Sequence, residues 1–431
     1  MRLWPAIAIF LVLSYGMTFA EEEYSFDLSE IEKKPLQIGG YLEFRPVLFE
    51  LDNNSALHKL KLYNRGKKKI REEYNFKSLV GGSYSKGTTE FHALVNTDFK
   101  KSYLGSSEET TLYEGYMASR PSSAFNFNIG KKSLKWGKGY AWNPVAFLDR
   151  PKDPEDPELA REGYVVAFAD YIKSFDGPLK TFSFTPVLMP VSDNINNDFG
   201  KNNNLNFAGK MYLLLYDTDI DFIFLTGQSK TNRYGMDFSK NVTSNFELHG
   251  ELAFINNHQR RFIDSDGAIF SKEYDATSYL LGLRYLTKSD TTYIFEYFHD
   301  ATGFAKSEMQ DYYSFIDKGY DTYLASGDDS LIKKASNVAG GGYNRKNPMR
   351  DYLYLRASQK EPFDILYLTP SLTGIYNIND KSLSIGPELL YTGIKNLELR
   401  LKATFLTGSS YTEFGEKLNN SRMEFRVRYY F

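Results

Sequence analysis

Polar and apolar side chains alternate with a period of two residues over much of this chain. Near the C-terminus, Met423, Phe425 and Val427 interleave with Glu424 and Arg426. Three further segments show the same pattern: residues 90–99, 246–254 and 397–405. Because successive side chains of a strand point to opposite faces, each segment predicts a strand with one apolar and one charged face.

Rows of Arg and Glu opposite an apolar face favour a barrel in a membrane over a soluble sandwich. A sandwich hides its apolar face in a core and seldom carries such charged rows on strand after strand. A water-filled barrel needs both faces, because lipid contacts its outside and water its inside. The pattern gives about 18 strands (16 to 18), most near the roughly 9–11 residues that a tilted strand needs to cross the hydrocarbon layer. The sequence therefore predicts an all-β fold, a single transmembrane antiparallel β-barrel over residues 36–431.

Composition agrees with this fold class and excludes others. Aromatic residues make up 16% of the chain, with 33 Tyr and 33 Phe. After the first 20 residues, no stretch approaches the length of apolar sequence that a spanning helix needs. The 52 basic and 54 acidic residues are too balanced to indicate a nucleic-acid partner. The lack of Cys excludes disulfides, thiolate metal sites and covalent haem.

The first residues have the organisation of a secretory signal. Arg2 is basic, residues 7–13 are apolar, and Thr18-Phe19-Ala20 places small residues before a cleavage point after Ala20. We therefore predict a signal peptide over residues 1–20 and a short periplasmic segment over residues 21–35.

Predicted connections alternate between short and long, as in outer-membrane barrels, which have short periplasmic turns and long extracellular loops. With an even number of strands, both termini are expected in the periplasm of a bacterial cell whose outer membrane holds the barrel. The longer connections are predicted at residues 50–70, 100–109, 135–162, 189–203, 255–275, 300–349 and 408–420.

The last strand ends in Phe431, preceded at alternate positions by Tyr429 and Val427. This ending resembles the C-terminal signal of outer-membrane proteins that the barrel-assembly machinery recognises. The resemblance covers about ten residues. It implies that the assembly machinery and outer-membrane lipid are partners of this chain.

The run Gly130-Lys131-Lys132-Ser133-Leu134-Lys135-Trp136-Gly137, followed by Asn143-Pro144, resembles a segment of porin-like and alginate-export-like barrels. In porins the third loop folds into the lumen and sets its narrowest point. By that resemblance, the constriction residues would be Trp136, Trp142, Asp149, Arg150, Asp153, Asp156, Glu158 and Arg161. The alternative is an outer loop that its prolines stiffen and whose charges pair in water.

Charged side chains on the inward face of the predicted strands suggest either of two roles. They bind a travelling ion, or they pair across neighbouring strands and keep a wide lumen hydrated, which we favour. These residues are Arg45, Glu90, His92, Arg284, Arg356, Arg400, Lys402, Arg426 and Arg428.

The longest connection, residues 300–349, is long enough for a lid, a plug or a partner-docking loop. A flexible surface loop is the interpretation we favour, with a short helix near residues 307–318.

Metal, cofactor and catalytic motifs are not evident. The Asp217, Asp219, Asp221 spacing fails as a calcium loop because Phe222 and Gln228 stand where Gly and Glu are required. The Asp193–Asp198 stretch is interpreted as a hydrated turn. The five histidines lack metal-ligand spacing, so we expect no enzyme and no cofactor.

These observations favour a porin-like channel for passive or weakly selective diffusion of small hydrophilic solutes. One alternative is a scaffold barrel that docks a periplasmic or extracellular partner, such as an electron-transfer or export complex, through residues 300–349. A less favoured one is an outer-membrane hydrolase that uses His92 or His249. Resemblance to porins also raises the possibility of a homotrimer.

Overall fold

A computed structural model describes residues 35–431, and the predicted signal peptide and most of the predicted periplasmic segment lie outside them. Strands and three helices make up the described chain. The strands are β1 (Leu36–Leu51), β2 (Ile70–Lys86), β3 (Thr89–Ser102), β4 (Gly105–Ser119), β5 (Phe125–Lys132), β6 (Tyr164–Ser174), β7 (Leu179–Val191), β8 (Asn204–Leu215), β9 (Thr218–Thr226), β10 (Arg233–Thr243), β11 (Phe246–Ile263), β12 (Ile269–Leu286), β13 (Thr291–His299), β14 (Asp351–Gln359), β15 (Leu368–Asn377), β16 (Ser382–Ile394), β17 (Leu397–Thr407) and β18 (Asn419–Tyr430). The helices are α1 (Ala56–Leu62), α2 (Lys306–Ser326) and α3 (Ser330–Ala339).

The 18 strands form one antiparallel sheet in which each strand pairs with its neighbours in the sequence. The first strand, β1, pairs with both β2 and β18, and this closes the sheet into a barrel. At the seam, Phe431 and Gly40 exchange two backbone hydrogen bonds, of 3.1 and 3.2 Å. The predicted fold, a closed antiparallel barrel of about 18 strands, is confirmed.

Burial in the barrel wall is reversed relative to a soluble protein. On β18, Met423 and Phe425 are 51% and 43% exposed, whereas Glu424 and Arg426 are 5% and 6% exposed. A continuous apolar exterior of this kind is stable where lipid covers it. None of the helices among residues 35–431 has both the length and the apolar character needed to cross a membrane.

The start of β1 and the end of β18 lie at one end of the barrel, which we call the terminus end, and the longest connections lie at the opposite, loop end. Residues 100–109 and 255–275 were predicted as longer connections, and this was wrong. Only Tyr103-Leu104 separates β3 from β4, and only residues 264–268 separate β11 from β12. These strands extend past the apolar band into water, where no apolar face is needed and the alternation disappears.

Residues 300–349 form α2 and α3, so interpreting them as a flexible loop was wrong, whereas the expected helix near 307–318 is longer than predicted. With α1, these helices form a unit at the loop end that we call the cap. Tyr312, Phe315 and Ile316 of α2 are at most 1% exposed. They belong to an apolar core that also contains inward side chains of the wall, namely Leu280, Phe298, Tyr352, Tyr354 and Ile375. The cap therefore fills the loop-end interior beside β12–β15.

Candidate functional site

Residues 133–163 join β5 to β6 and lie inside the barrel, and we call them the inner segment. Its first turn is organised by Asp149. The Asp149 carboxylate accepts hydrogen bonds from the backbone N–H groups of Leu134, Lys135 and Trp136 at 2.9 to 3.0 Å, and from the Ser133 hydroxyl at 3.0 Å. Asp149 was predicted to line a constriction, but its carboxylate instead fixes the shape of the segment.

The tip of the inner segment is held by a buried carboxylate of β11. Glu251 accepts hydrogen bonds from the backbone N–H groups of Lys138, Gly139 and Val145 at 2.6, 2.7 and 3.2 Å. The Asn143 amide donates a fourth at 2.8 Å. Backbone N–H groups that converge in this way form a concave anion site, which here takes a side chain of the wall itself. The tip is therefore attached to β11.

Two glycines make this close approach possible. Gly137 has a φ of 93°, which side chains other than glycine rarely adopt. A Cβ atom on Gly139 would lie 2.1 Å from the carbonyl oxygen of Trp142. Gly137, which belongs to the run that marked this segment in the sequence, therefore has a conformational role.

Apolar side chains of the inner segment fill the barrel beside β6–β11. Trp136, Val145, Phe147 and Leu148 are at most 4% exposed. Their partners on the wall are Tyr164, Val166, Val187, Met189, Val191, Ala208, Ile223, Leu225 and Ala253. This side of the lumen is therefore filled by packed apolar groups.

Trp142 joins the inner segment to the cap. Its ring stacks on Phe298 with centroids 5.1 Å apart and also contacts Tyr352 and Tyr354. Both tryptophans predicted at a constriction, Trp136 and Trp142, are therefore buried in apolar clusters.

After the tip, the inner segment crosses the lumen to β17 and β18. Asp156 contacts Arg400 at 2.8 Å and Arg426 at 3.3 Å. Glu155 pairs with Arg422, and Asp153 pairs with Lys346 beyond the cap helices. Glu155 and Asp156 therefore attach the inner segment to β17 and β18.

Most of the charges predicted to face the lumen are paired. Five of them contact glutamates on the neighbouring strand or, for Arg356, two strands away: Arg45–Glu424 at 3.5 Å, Arg356–Glu388 at 3.3 Å, Arg400–Glu424 at 3.0 Å, Arg426–Glu398 at 2.6 Å and Arg428–Glu43 at 2.7 Å. The other four differ from these five. His92 lies 3.5 Å from Glu114 and Arg284 lies 3.9 Å from Glu247, whereas Lys402 donates to the Glu155 carbonyl and Glu90 is exposed. Of the glutamates in these pairs, sequence reasoning placed Glu424 and Glu398 in alternating segments and did not single out Glu43 or Glu388.

Open space remains between the inner segment and the opposite wall. A cavity of about 270 Å³ separates Asn96, Asp98, Glu109, Thr111 and Tyr113 of β3 and β4 from Arg150, Pro151, Ala160, Arg161 and Glu162. Arg150 pairs with Glu162 at 2.9 Å, whereas Arg161 donates to the Arg150 carbonyl at 2.6 Å. A smaller cavity of about 110 Å³ lies beside exposed Glu158, between the segment and Arg356. Of the predicted constriction residues, Arg150, Arg161, Asp156 and Glu158 border open space.

The two crossing carboxylates have lowered pKa values. Burial by itself raises the pKa of Glu155 and Asp156, but the cations around each carboxylate together outweigh it, with Arg422 the strongest beside Glu155 and Arg400 the strongest beside Asp156. Both pKa values therefore lie below the ordinary 4.5 for Glu and 3.8 for Asp.

We predict that this crossing loosens only in acid. A carboxylate with a lowered pKa stabilises the fold above its ordinary pKa, and this stabilisation is lost as pH falls through the lowered value. Attachment of the segment should be constant from neutral pH down to about pH 5 and weaken progressively below it. Protease cleavage of the segment, measured across a pH series, checks this. Weakening that begins near neutral pH would contradict it.

The histidines proposed for a hydrolase lie among carboxylates. His249 is 1% exposed, and its Nε2 lies 3.0 Å from Glu296. His92 contacts Glu114. Within residues 35–431, no group of three or more His, Asp or Glu side chains is arranged to hold a metal ion.

Comparison with known proteins places the fold. No protein-family model and no curated protein sequence matches the chain. Among solved structures, OccAB1 of Acinetobacter baumannii matches with a TM-score of 0.53 and 10% identity, over 91% of this chain and 96% of the other. OccK5 (OpdH) of Pseudomonas aeruginosa matches with a TM-score of 0.51 and 13% identity, over 91% of this chain and 97% of the other. A Rhodopseudomonas blastica porin mutant matches with a TM-score of 0.46 and 8% identity, over 92% and 100%. The closed sheet and the matches to OccAB1 and OccK5 show that the chain has the fold of a porin-like outer-membrane β-barrel.

Proposed function

We propose that this protein is an outer-membrane channel for passive or weakly selective diffusion of small hydrophilic solutes. The observation that carries the proposal is the polar, incompletely filled interior behind an apolar exterior. An 18-stranded barrel encloses a lumen wide enough for water unless something fills it. The inner segment and the cap fill part of this lumen and leave the cavity beside β3 and β4 open.

In this proposal the inner segment is the constriction, and solutes pass between it and β3–β4. Arg150, Arg161 and Glu162 form one side of the passage, and Asp98 and Glu109 form the other. Opposite charges on the two sides favour hydrated polar solutes over apolar ones. The terminus end would face the periplasm, and Phe431 at the seam would serve as the assembly signal.

Current across planar lipid bilayers tests the channel. Purified protein should give stepwise conductance, and folded protein that gives none would remove the proposal. Folding is checked independently, because closed barrels migrate differently in gels before and after boiling.

Two single-cysteine variants test the route, since the chain has no native Cys. Thr111→Cys lies in the open cavity, and a charged thiol reagent should reduce the conductance of this variant. Ala253→Cys is the control, because Ala253 is 0% exposed within the packed half and should not react. If the reagent reduces the conductance of Ala253→Cys and not that of Thr111→Cys, solutes do not pass through the cavity beside β3 and β4.

A further inference from the structure

The turn between β14 and β15, residues 360–367, is an apolar projection at the terminus end. Phe363 is 95% exposed, Leu366 62%, Tyr367 54% and Ile365 49%. The neighbouring turn between β12 and β13 is instead polar, with the sequence Thr-Lys-Ser-Asp at residues 287–290. Four exposed apolar or aromatic side chains within five residues at the tip of a turn are unfavourable in water.

The backbone of this turn holds the apolar side chains outward. Phe363, Asp364 and Tyr367 have φ values of 56°, 58° and 64°, in the left-handed region that such residues rarely adopt. The Tyr367 N–H donates to the Glu361 carboxylate at 3.0 Å, and the Thr392 N–H donates to the Tyr367 carbonyl at 3.1 Å. The exposure of these side chains is therefore built into a turn with defined hydrogen bonds.

The apolar surface of the turn continues the lipid-facing surface of the barrel. Leu372 and Leu389 on the adjacent strands are each 47% exposed, and Ile394, at the terminus end of β16, is 48% exposed. Leu372 lies four residues beyond Leu368, the first residue of β15. At about 3.3 Å per residue and a tilt of about 40°, the turn lies about 10 Å from Leu372 along the barrel axis. The turn therefore lies about 10 Å nearer than Leu372 to the terminus-end edge of the lipid-facing surface.

The charges around the turn fit a headgroup layer. Lys360 and Lys395 are exposed on either side of the apolar side chains, where they can contact lipid phosphates. Asp364 is exposed at the tip, which opposes deeper insertion into hydrocarbon. Aromatic and aliphatic side chains flanked by lysines are typical of segments that lie in a membrane interface.

We propose that residues 360–367 insert into the phospholipid headgroup layer at the terminus end and anchor the barrel at that depth. This inference rests on the proposed membrane location of the barrel. The occupant is the lipid interface, because Leu372 and Leu389 on the adjacent strands β15 and β16 are exposed on the lipid-facing wall.

Single-cysteine labelling tests the anchor. Phe363→Cys, Leu372→Cys and Lys288→Cys would each carry an environment-sensitive fluorophore in phosphatidylethanolamine and phosphatidylglycerol vesicles. We expect blue-shifted emission at 363, quenched by nitroxides near the headgroups, and quenching at 372 by nitroxides deeper in the acyl chains. The label at 288 should behave as in water and be quenched by iodide. Asp364→Cys keeps all four apolar side chains and repeats the test if Phe363→Cys does not fold.

The outcomes separate the two proposals. If the labels at 363 and 364 are as accessible to iodide as the label at 288 while the label at 372 is quenched by lipid, the anchor is overturned and the channel stands. If the label at 372 is also in water, the membrane location itself fails. Shielding at 363 without nitroxide quenching, together with cross-linked dimers, would show a protein contact and would also overturn the anchor.

Discussion

Glu251→Ala should loosen the tip of the inner segment, which Glu296 of β13 also holds through the Ala141 N–H at 2.9 Å, and raise single-channel conductance. The substitution leaves the backbone N–H groups of Lys138, Gly139 and Val145 without their acceptor inside the barrel. An unsatisfied buried donor costs about 1–3 kcal/mol, so three of them weaken the attachment by on the order of 3 kcal/mol or more. Bilayer recording measures the conductance, and trypsin cleavage after Lys152 measures the release.

Glu273→Ala is the matched control for this experiment. Glu273 is a carboxylate on β12, next to β11, but it is exposed and contacts Gln259 rather than the inner segment. It should leave conductance and trypsin resistance unchanged. Wild-type conductance and resistance in Glu251→Ala would mean that Glu251 does not hold the segment in place.

Asp156→Ala should detach the crossing part of the segment and shift ion selectivity toward anions. The change removes one carboxylate that contacts two guanidinium groups, Arg400 and Arg426, and so makes this part of the lumen more positive. A hydrogen bond to a charged group contributes about 1.5–3 kcal/mol, and Arg400 keeps Glu388 and Glu424 as partners. We therefore expect a weakened crossing in a barrel that still folds. The reversal potential in a salt gradient and the conductance report selectivity and width.

Glu158→Ala separates the loss of charge from the loss of attachment. Glu158 lies in the same segment, is exposed and has no ion pair within the described residues 35–431. This control removes the same charge as Asp156→Ala, so it should affect selectivity at most and keep wild-type conductance. Equal conductance in the wild type and both variants would show that Asp156 does not maintain the constriction.

The strands were predictable because lipid on one side and water on the other impose a strict alternation on each of them. The alternation stops where the strands leave the lipid, and this is why the ends of β3, β4, β11 and β12 were taken for loops. Residues such as Asn256, Asn257 and Lys272 have no apolar face to preserve. The hairpin between β11 and β12 turns tightly at Gly267, whose φ of 92° lies in the left-handed region that favours glycine.

The existence of an inner segment was predictable, but the role of its individual side chains was not. Asp149 and Trp136 looked like lumen groups because a charge and a ring in a loop usually meet solvent. Asp149 contacts backbone N–H groups, which every residue type supplies, so no sequence pattern reveals this contact. Trp136 packs on side chains of β6–β11 that are distant in the sequence and become its neighbours only when the barrel closes. Glu251 and Glu296, which hold the tip, belong to ordinary alternating strands and carry no motif.

The seam between β1 and β18 has a consequence for the order of folding. Neighbouring strands are separated by a turn or a loop, whereas Glu43 and Arg428 are at opposite ends of the described chain and must meet across the seam. Joining the most distant segments carries the largest loss of chain entropy, so this pairing is expected last. Until then the sheet has two unpaired edges, and a nascent chain is exposed to intermolecular strand pairing until its final residues arrive.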